Sequence, residues 1–220
     1  MAGQPASQRR PGIPRRDHRQ AHRDRPGRQG PPCSGEEVLS APDPLLHVVL
    51  HEPEIPNNTG NIGRTCIATG CALHLIKPLG FDTSEKACRR AGLDYWPRLK
   101  PAEHDNWSAY LTSAGGEQAL AARMWLFTTK TARPAWDVEF HRGDHLIFGK
   151  ETRGLPQTIL EAHADRLVTL PMLVGERSLN LATAVCAAVY EAIRQMSLRD
   201  EIAIDSTGRI LPPTPREPKR

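Results

Sequence analysis

The sequence predicts an α/β protein built on a parallel sheet with helices on both faces. Three observations carry this. Short runs rich in Val, Ile, Leu and Phe recur with little polar alternation, as strands buried on both faces require. Segments with apolar residues at helical spacing lie between them, so strand and helix patterns alternate along the chain. Proline, glycine and asparagine gather where those runs stop.

Taken in order, Leu46 to His51 reads as a buried strand. A loop rich in Pro and Asn follows, then a helix from about Thr59 to Thr69 that Asn58 or Thr59 can cap. Ala72 to Lys77 is a second strand, closed by Pro78 and Gly80. Ser84 to Ala91 and Asp105 to Ser113 have helical character, Arg123 to Thr128 and His145 to Phe148 are further strands, and a helix falls near Gln157 to Ala162. Leu167 to Pro171 is a short strand that stops at a proline, with a polar loop from Met172 to Arg177 after it. Ser178 or Asn180 then stands where a helix N-cap is wanted. The last helix, to about Gln195, carries Leu181, Val185, Ala188, Val189, Ala192 and Ile193 at helical spacing, with Ala182, Ala184, Cys186 and Ala187 between them. A helix apolar nearly all round is expected to be buried on several sides. Its polar mouth, after a strand, is where α/β proteins place ligands.

The ends of the chain differ from its middle. Residues 1–44 contain eight Arg, eight Pro and five Gly and too few apolar side chains to offset chain entropy, so they are expected to be a disordered Arg/Pro-rich extension. One folded domain is expected over 45–200 and a flexible tail over 201–220. Residues 1–44 carry eight basic against five acidic side chains, and residues 206–220 four against one. With a total of +4, residues 45–205 are left at −2, so the basic character belongs to the tails. No run of 18 apolar residues suggests a membrane span and no apolar core follows the N-terminal arginines, which argues against a secretory signal. The five cysteines, without a C-x-x-C pair, suit reduced thiols in the cytoplasm, with Cys66 and Cys186 as core residues. His47 and His51 have the spacing of helical zinc ligands, but on a strand they stand roughly 13 Å apart. His141 and His145 flank a glycine turn without a third ligand, so no metal is expected.

Function has to come from loops at strand ends, and three stand out: Glu52 to Arg64, Phe148 to Pro156, and Leu170 to Leu181. Singly each could be a capped or glycine turn. Together, Asn58-x-Gly60-x-x-x-Arg64, Phe148-Gly-x-Glu151-x-x-Gly154-Leu-Pro156 and Ser178-Leu-Asn180-x-x-x-Ala184 resemble the three motifs of the SPOUT class of RNA methyltransferases. Glu52-Pro-Glu-Ile-Pro, Arg89-Arg90-Ala-Gly-Leu-Asp94-Tyr95, Thr128-Thr-Lys130 and Leu170-Pro-Met172 look like its branch that methylates the wobble-nucleotide ribose of tRNA. The likeness spans about residues 46–196. It implies a C-terminal deep trefoil knot, an exception to the rule that chains do not thread their own loops.

The resemblance also implies chemistry. A methyl group would pass from S-adenosyl-L-methionine to a ribose 2′-OH of cytidine or uridine 34 in the anticodon stem-loop, leaving S-adenosyl-L-homocysteine, without a metal. Arg64 matches the catalytic position. Its guanidinium stays protonated, which favours orienting the hydroxyl and steadying alkoxide charge, with Asn58 holding it in place. The donor pocket carries over to Phe127, Gly149, Leu170 and Ser178, with Gly149 leaving room for the ligand. Glu151 could meet the positive donor or brace the loops, and Asn180 supports the same region. Arg89, Arg90, Lys130, Lys150, Arg153 and Arg177 are candidate RNA contacts, and Tyr190 matches a family tyrosine near the RNA. A homodimer is implied, with the last helix offering a surface to share. Another tRNA or rRNA target, or a non-catalytic RNA-binding relative, stays open.

Overall fold

The structure, a computed structural model, describes residues 43–84, 87, 90 and 93–211. The disorder expected for the N-terminal extension and for the last residues, most of the helix expected over 84–91, and Arg89 lie outside the described residues.

Six described strands form one parallel sheet: β1 (His47–His51), β2 (Ala72–Ile76), β3 (Ala102–His104), β4 (Met124–Phe127), β5 (His145–Phe148) and β6 (Leu167–Val168). Their spatial order is β3-β2-β1-β5-β4-β6. The chain first steps outward from β1 through β2 to β3, then restarts on the other side of β1. The direction of winding therefore reverses between β1 and β5, the position at which open α/β sheets leave a crevice at their carboxyl ends. Register sets which loops meet there: Leu50 stands beside Phe148, and Phe148 beside Phe127.

Helices cover both faces. On one side α1 (Pro56–Thr69) packs with the last helix, α6 (Leu181–Leu198), over a core that includes Val48, Leu50, Ile62, Val185 and Val189. On the other, α3 (Trp107–Ser113), α4 (Glu117–Leu120) and α5 (Gln157–Ala162) bury Val49, Ile76, Tyr110, Leu126, Ile147 and Leu160. Val48 and Val49 are both fully buried because successive side chains of β1 enter different cores. That is why these strands read as continuous apolar runs. Each such side chain contributes about 1.5–3 kcal/mol by leaving water.

Several elements differ from the expectations. α1 begins at Pro56, with Ile55 as its N-cap and no side-chain cap bond, so Asn58 and Thr59 lie inside the helix. Proline suits the first helical position because it has no N–H to leave unsatisfied. Of the two expected cap candidates for α6, Asn180 is the one that serves. Within one chain α6 is not buried all round: Thr183, Ala187, Tyr190, Arg194 and Leu198 form an exposed stripe. β6 is only two residues long, and Thr169 beyond it makes an isolated bridge with Pro134. In the tail expected from residue 201, Ile202 is buried, and Ile204 pairs with Ile210 around a turn that is mostly exposed. β3 and α2 (Trp96–Leu99) went unforeseen because each is too short for a periodic pattern.

One feature of the sheet joins four strands. His104, His74, His47 and His145 stand on β3, β2, β1 and β5 respectively, side by side across the α3 face. His74 bonds His104 at 3.1 Å and His47 at 2.9 Å, His47 stacks on His145 at 4.1 Å between centroids, and Tyr110 Oη meets His145 Nδ1 at 2.7 Å. Burial holds the imidazoles of His74 and His145 down to a pKa of about 3.

Candidate active site

At the carboxyl ends of β1, β4, β5 and β6 the loops enclose a cleft of about 610 Å³. It is lined by Phe127, Gly149, Leu170 and Ser178, four residues singled out for donor binding. Asn58, Glu151, Asn180, Lys130, Lys150, Arg153 and Arg177 line it too. Phe127 and Phe148 stack at 4.6 Å beneath it, and the hydroxyl-bearing residues Thr128, Thr169 and Ser178 contribute to its lining. A slot with aromatic and aliphatic walls and a few polar groups suits a small ligand with a flat, neutral ring system.

A hydrogen-bond relay ties the three loops into one unit. Asn180 Nδ2 donates to Asn58 Oδ1 at 2.9 Å, and Asn58 Nδ2 donates to Glu151 Oε1 at 2.9 Å. Asn180 Oδ1 accepts from the N–H groups of Ala182 and Thr183 and so caps α6. Glu151 in turn accepts from Glu54 N at 2.8 Å and Ile55 N at 3.3 Å. A carboxylate therefore sits at the start of α1, where the helix dipole favours negative charge and the local sequence has no side-chain cap. With these contacts Glu151 braces the cleft. Within this chain Asn58, expected to hold Arg64, bonds Glu151 and Asn180, and residues 58 and 64 project from different sides of the helix.

The loop after β5 is drawn still closer by glycine. A Cβ on Gly149 would lie 2.0 Å from Gly154 C and 2.1 Å from Leu155 N. Gly149 is thus required by the loop's own backbone. Two contacts were missed from the sequence. Glu54 accepts from the N–H and hydroxyl of Thr152, and Lys150 pairs with Glu52 at 2.6 Å. Glu52 has φ 52°, a left-handed conformation that costs a non-glycine residue roughly 1–2 kcal/mol. Both glutamates stand in the first loop, but nothing local announces a partner about a hundred residues away.

Arg64 does not line this cleft. It is exposed on another face of α1, with its guanidinium 4.9 Å from the centre of the Tyr95 ring, and it lines a separate groove. Tyr95 Oη donates to Gly60 O, which fixes that ring against the helix. Tyr190 is 54% exposed on α6 and lines a third hollow, against the turn around Arg209. Arg90 is exposed and lines none of these three. Among the described residues no group of three or more His, Cys, Asp or Glu side chains is placed to hold a metal ion, and no helix is long and apolar enough to cross a membrane.

Residues 45–190 match the family model described as "SpoU rRNA Methylase family". A tRNA (cytidine(34)-2′-O)-methyltransferase of Saccharophagus degradans is 47% identical over 153 residues, covering 69% of this chain and 96% of the relative. A solved structure described as "Structural insights into the 2-OH methylation of C/U34 on tRNA" is 44% identical, with a TM-score of 0.61, covering 70% of this chain and 97% of the other. The SpoU methyltransferase AviRb from Streptomyces viridochromogenes, solved in complex with the cofactor AdoMet, shares the fold: TM-score 0.60 at 24% identity, covering 76% and 66% of the two chains.

Proposed function

The chain belongs to the SpoU rRNA Methylase family, and from that premise we propose that it is a tRNA (cytidine(34)-2′-O)-methyltransferase. It transfers a methyl group to the ribose 2′-oxygen of the wobble nucleotide. The observation that carries this reading is the Glu151–Asn58–Asn180 relay, which gathers the three motif loops around one cleft at the sheet's reversal point.

The cleft fits the donor. Its aromatic and aliphatic lining suits an adenine ring, and Ser178, Thr128 and Thr169 offer hydroxyls for a ribose. Phe127, Gly149, Leu170 and Ser178 would hold S-adenosyl-L-methionine, which when bound supplies a methyl group on a sulfonium centre. Lys130, Arg153 and Arg177 at the cleft meet RNA phosphates. Arg89, Arg90 and Tyr190 are further candidate RNA contacts. Arg64, a permanent cation, orients the ribose hydroxyl and steadies the negative charge that grows on its oxygen as the proton leaves.

Since Arg64 and the donor cleft occupy different hollows of one chain, the reading needs a second copy to bring them together. The exposed α6 stripe of Ala187, Tyr190 and Leu198 supports a homodimer built on that face. The same reading includes a trefoil knot through residues 170–195. Supporting it, the chain leaves β6 at the edge of the sheet and α6 returns to pack on α1, next to the central strand. Work on tRNA and the free thiols of Cys66, Cys71 and Cys186 both suit the cytoplasm.

The test is methyl transfer from labelled S-adenosyl-L-methionine to tRNA, read by nucleoside mass spectrometry. Wild-type protein yields 2′-O-methylated nucleotide 34. Arg64→Ala loses transfer while its donor affinity in calorimetry is unchanged. Full methylation by Arg64→Ala would remove the arginine from the mechanism.

A further inference from the structure

The groove that contains Arg64 holds a second, independent sign of a ligand. It measures about 440 Å³ and lies on the side of α1 that carries Asn57, Asn61 and Arg64, three exposed residues at i, i+4 and i+7. That volume falls within the roughly 300–1,000 Å³ of small-molecule sites. Phe81, Leu93 and Trp96 give it an apolar wall. Thr59 also lines it, is 1% exposed, and its Oγ1 has no hydrogen-bond partner among the described residues.

The other threonines of the same helix show what is unusual here. Thr65 and Thr69 donate their hydroxyls to the carbonyls of Asn61 and Thr65, at 3.3 and 2.8 Å. Thr59 has the same option open to it in a helix and does not use it. A buried hydroxyl left unpaired is destabilising and calls for a partner. Phe81, half-buried, is kept in place by its neighbour: Gly80 N donates to Pro53 O at 2.9 Å, and a Cβ on Gly80 would fall 2.6 Å from Glu54 O. The loop that bears the aromatic ring is thus pinned to the loop that starts α1.

We propose that this groove receives the pyrimidine base of the nucleotide being methylated, with Phe81 stacked on the ring and Thr59 Oγ1 bonded to its edge. The inference rests on the function proposed above, because that reading places Arg64 beside the ribose, and the base on that ribose then has this groove to enter. RNA loops are recognised by unstacking bases onto aromatic side chains. Stacking is indifferent to the exocyclic group, since every base has a π-face. A threonine hydroxyl both donates and accepts, so it can meet the 4-amino group of cytosine or the 4-oxo group of uracil. The pair therefore accepts either pyrimidine without favouring one by charge.

Phe81→Ala and Thr59→Val test this, using anticodon stem-loop RNAs with cytidine, uridine or the fluorescent analogue pyrrolo-cytidine at position 34. In wild type, binding quenches the analogue by stacking. Phe81→Ala abolishes the quench and raises the KM for RNA by at least about fivefold, the low end of a lost base–aromatic stack. Thr59→Val lowers kcat/KM for the cytidine and uridine substrates alike. Its melting temperature is unchanged or raised, because a buried unpaired oxygen has been removed. Donor affinity is unchanged in both variants. Wild-type quenching and KM in both variants would overturn the proposal. So would a Thr59→Val protein that loses melting temperature along with activity, which would make the hydroxyl a structural bond. If instead wild-type protein binds the donor yet methylates no tRNA, the methyltransferase reading itself fails.

Discussion

Asn180 caps a helix and closes the relay with one side chain, so its replacement separates the two roles. Asn180→Ala loses the cap bonds to Ala182 N and Thr183 N, at 3.0 and 3.2 Å, together with the 2.9 Å bond to Asn58. Loss of an N-cap costs about 1 kcal/mol. Loss of one relay bond costs about 1 kcal/mol more, since Asn58 is only 6% exposed and water reaches its stranded oxygen poorly. The expected destabilisation is therefore about 2 kcal/mol. Asn180→Asp keeps both acceptor bonds at the helix start, where a carboxylate is favoured. It has no N–H for Asn58, so it loses only about 1 kcal/mol. Urea unfolding of both variants, and of each combined with Asn58→Ala, gives the coupling directly if the m-values agree. A coupling of about 1 kcal/mol is expected between positions 58 and 180. Equal destabilisation by Ala and Asp, or coupling below about 0.3 kcal/mol, would show that the relay does not hold the loops together.

Gly149→Ala forces a Cβ against the backbone of Gly154 and Leu155, which cannot swing aside as a side chain would, so the turn must open. Calorimetry should show donor affinity reduced by at least about tenfold, and wild-type affinity would refute the close approach. Acid should also destabilise the protein through the histidine row. The pKa values of His74 and His145 are about 3 in the fold, against about 6.5 in an unfolded chain, so between those values only the unfolded state takes up the protons. Their contribution is constant above pH 6.5 and falls as pH drops below it, by about 1.4 kcal/mol per pH unit for each residue. Arg123 lowers His47 and His145 further, and Asp43 opposes it only at His47. A urea series from pH 7 to pH 4 checks this, and His74→Gln should flatten the slope. Finally, Leu198→Glu on the exposed face of α6 should shift sedimentation from dimer to monomer and lower methyl transfer. A monomeric wild type at micromolar concentration would sink the shared-face reading.

The strands other than β3, the long last helix and the parallel α/β class were legible because their signals are local. Val48, Val49 and Leu50 in succession mark a strand buried on both faces, and Ala188, Ala192 and Ile193 mark a helix face, whatever lies elsewhere in the chain. The four residues that the resemblance assigns to the donor, Phe127, Gly149, Leu170 and Ser178, line one hollow. What Asn58 touches was not legible. The resemblance assigned it to Arg64, and within this chain its side chain meets Glu151 and Asn180. Thr59 read as a cap, although Pro56 and a glutamate 95 residues away from it share that task.

Sequence alone determined where the longer strands and helices lie, since those choices depend on neighbours within a few residues, but not the short β3 and α2 or the first turn of α1. Only the tertiary structure decided that Glu151 reaches the start of α1, that Gly149 touches Gly154, and that Arg64 faces a different hollow from the one lined by Gly149 and Ser178. Those contacts follow from the strand order β3-β2-β1-β5-β4-β6, and strand order is set by the joint burial of both sheet faces rather than by any single segment.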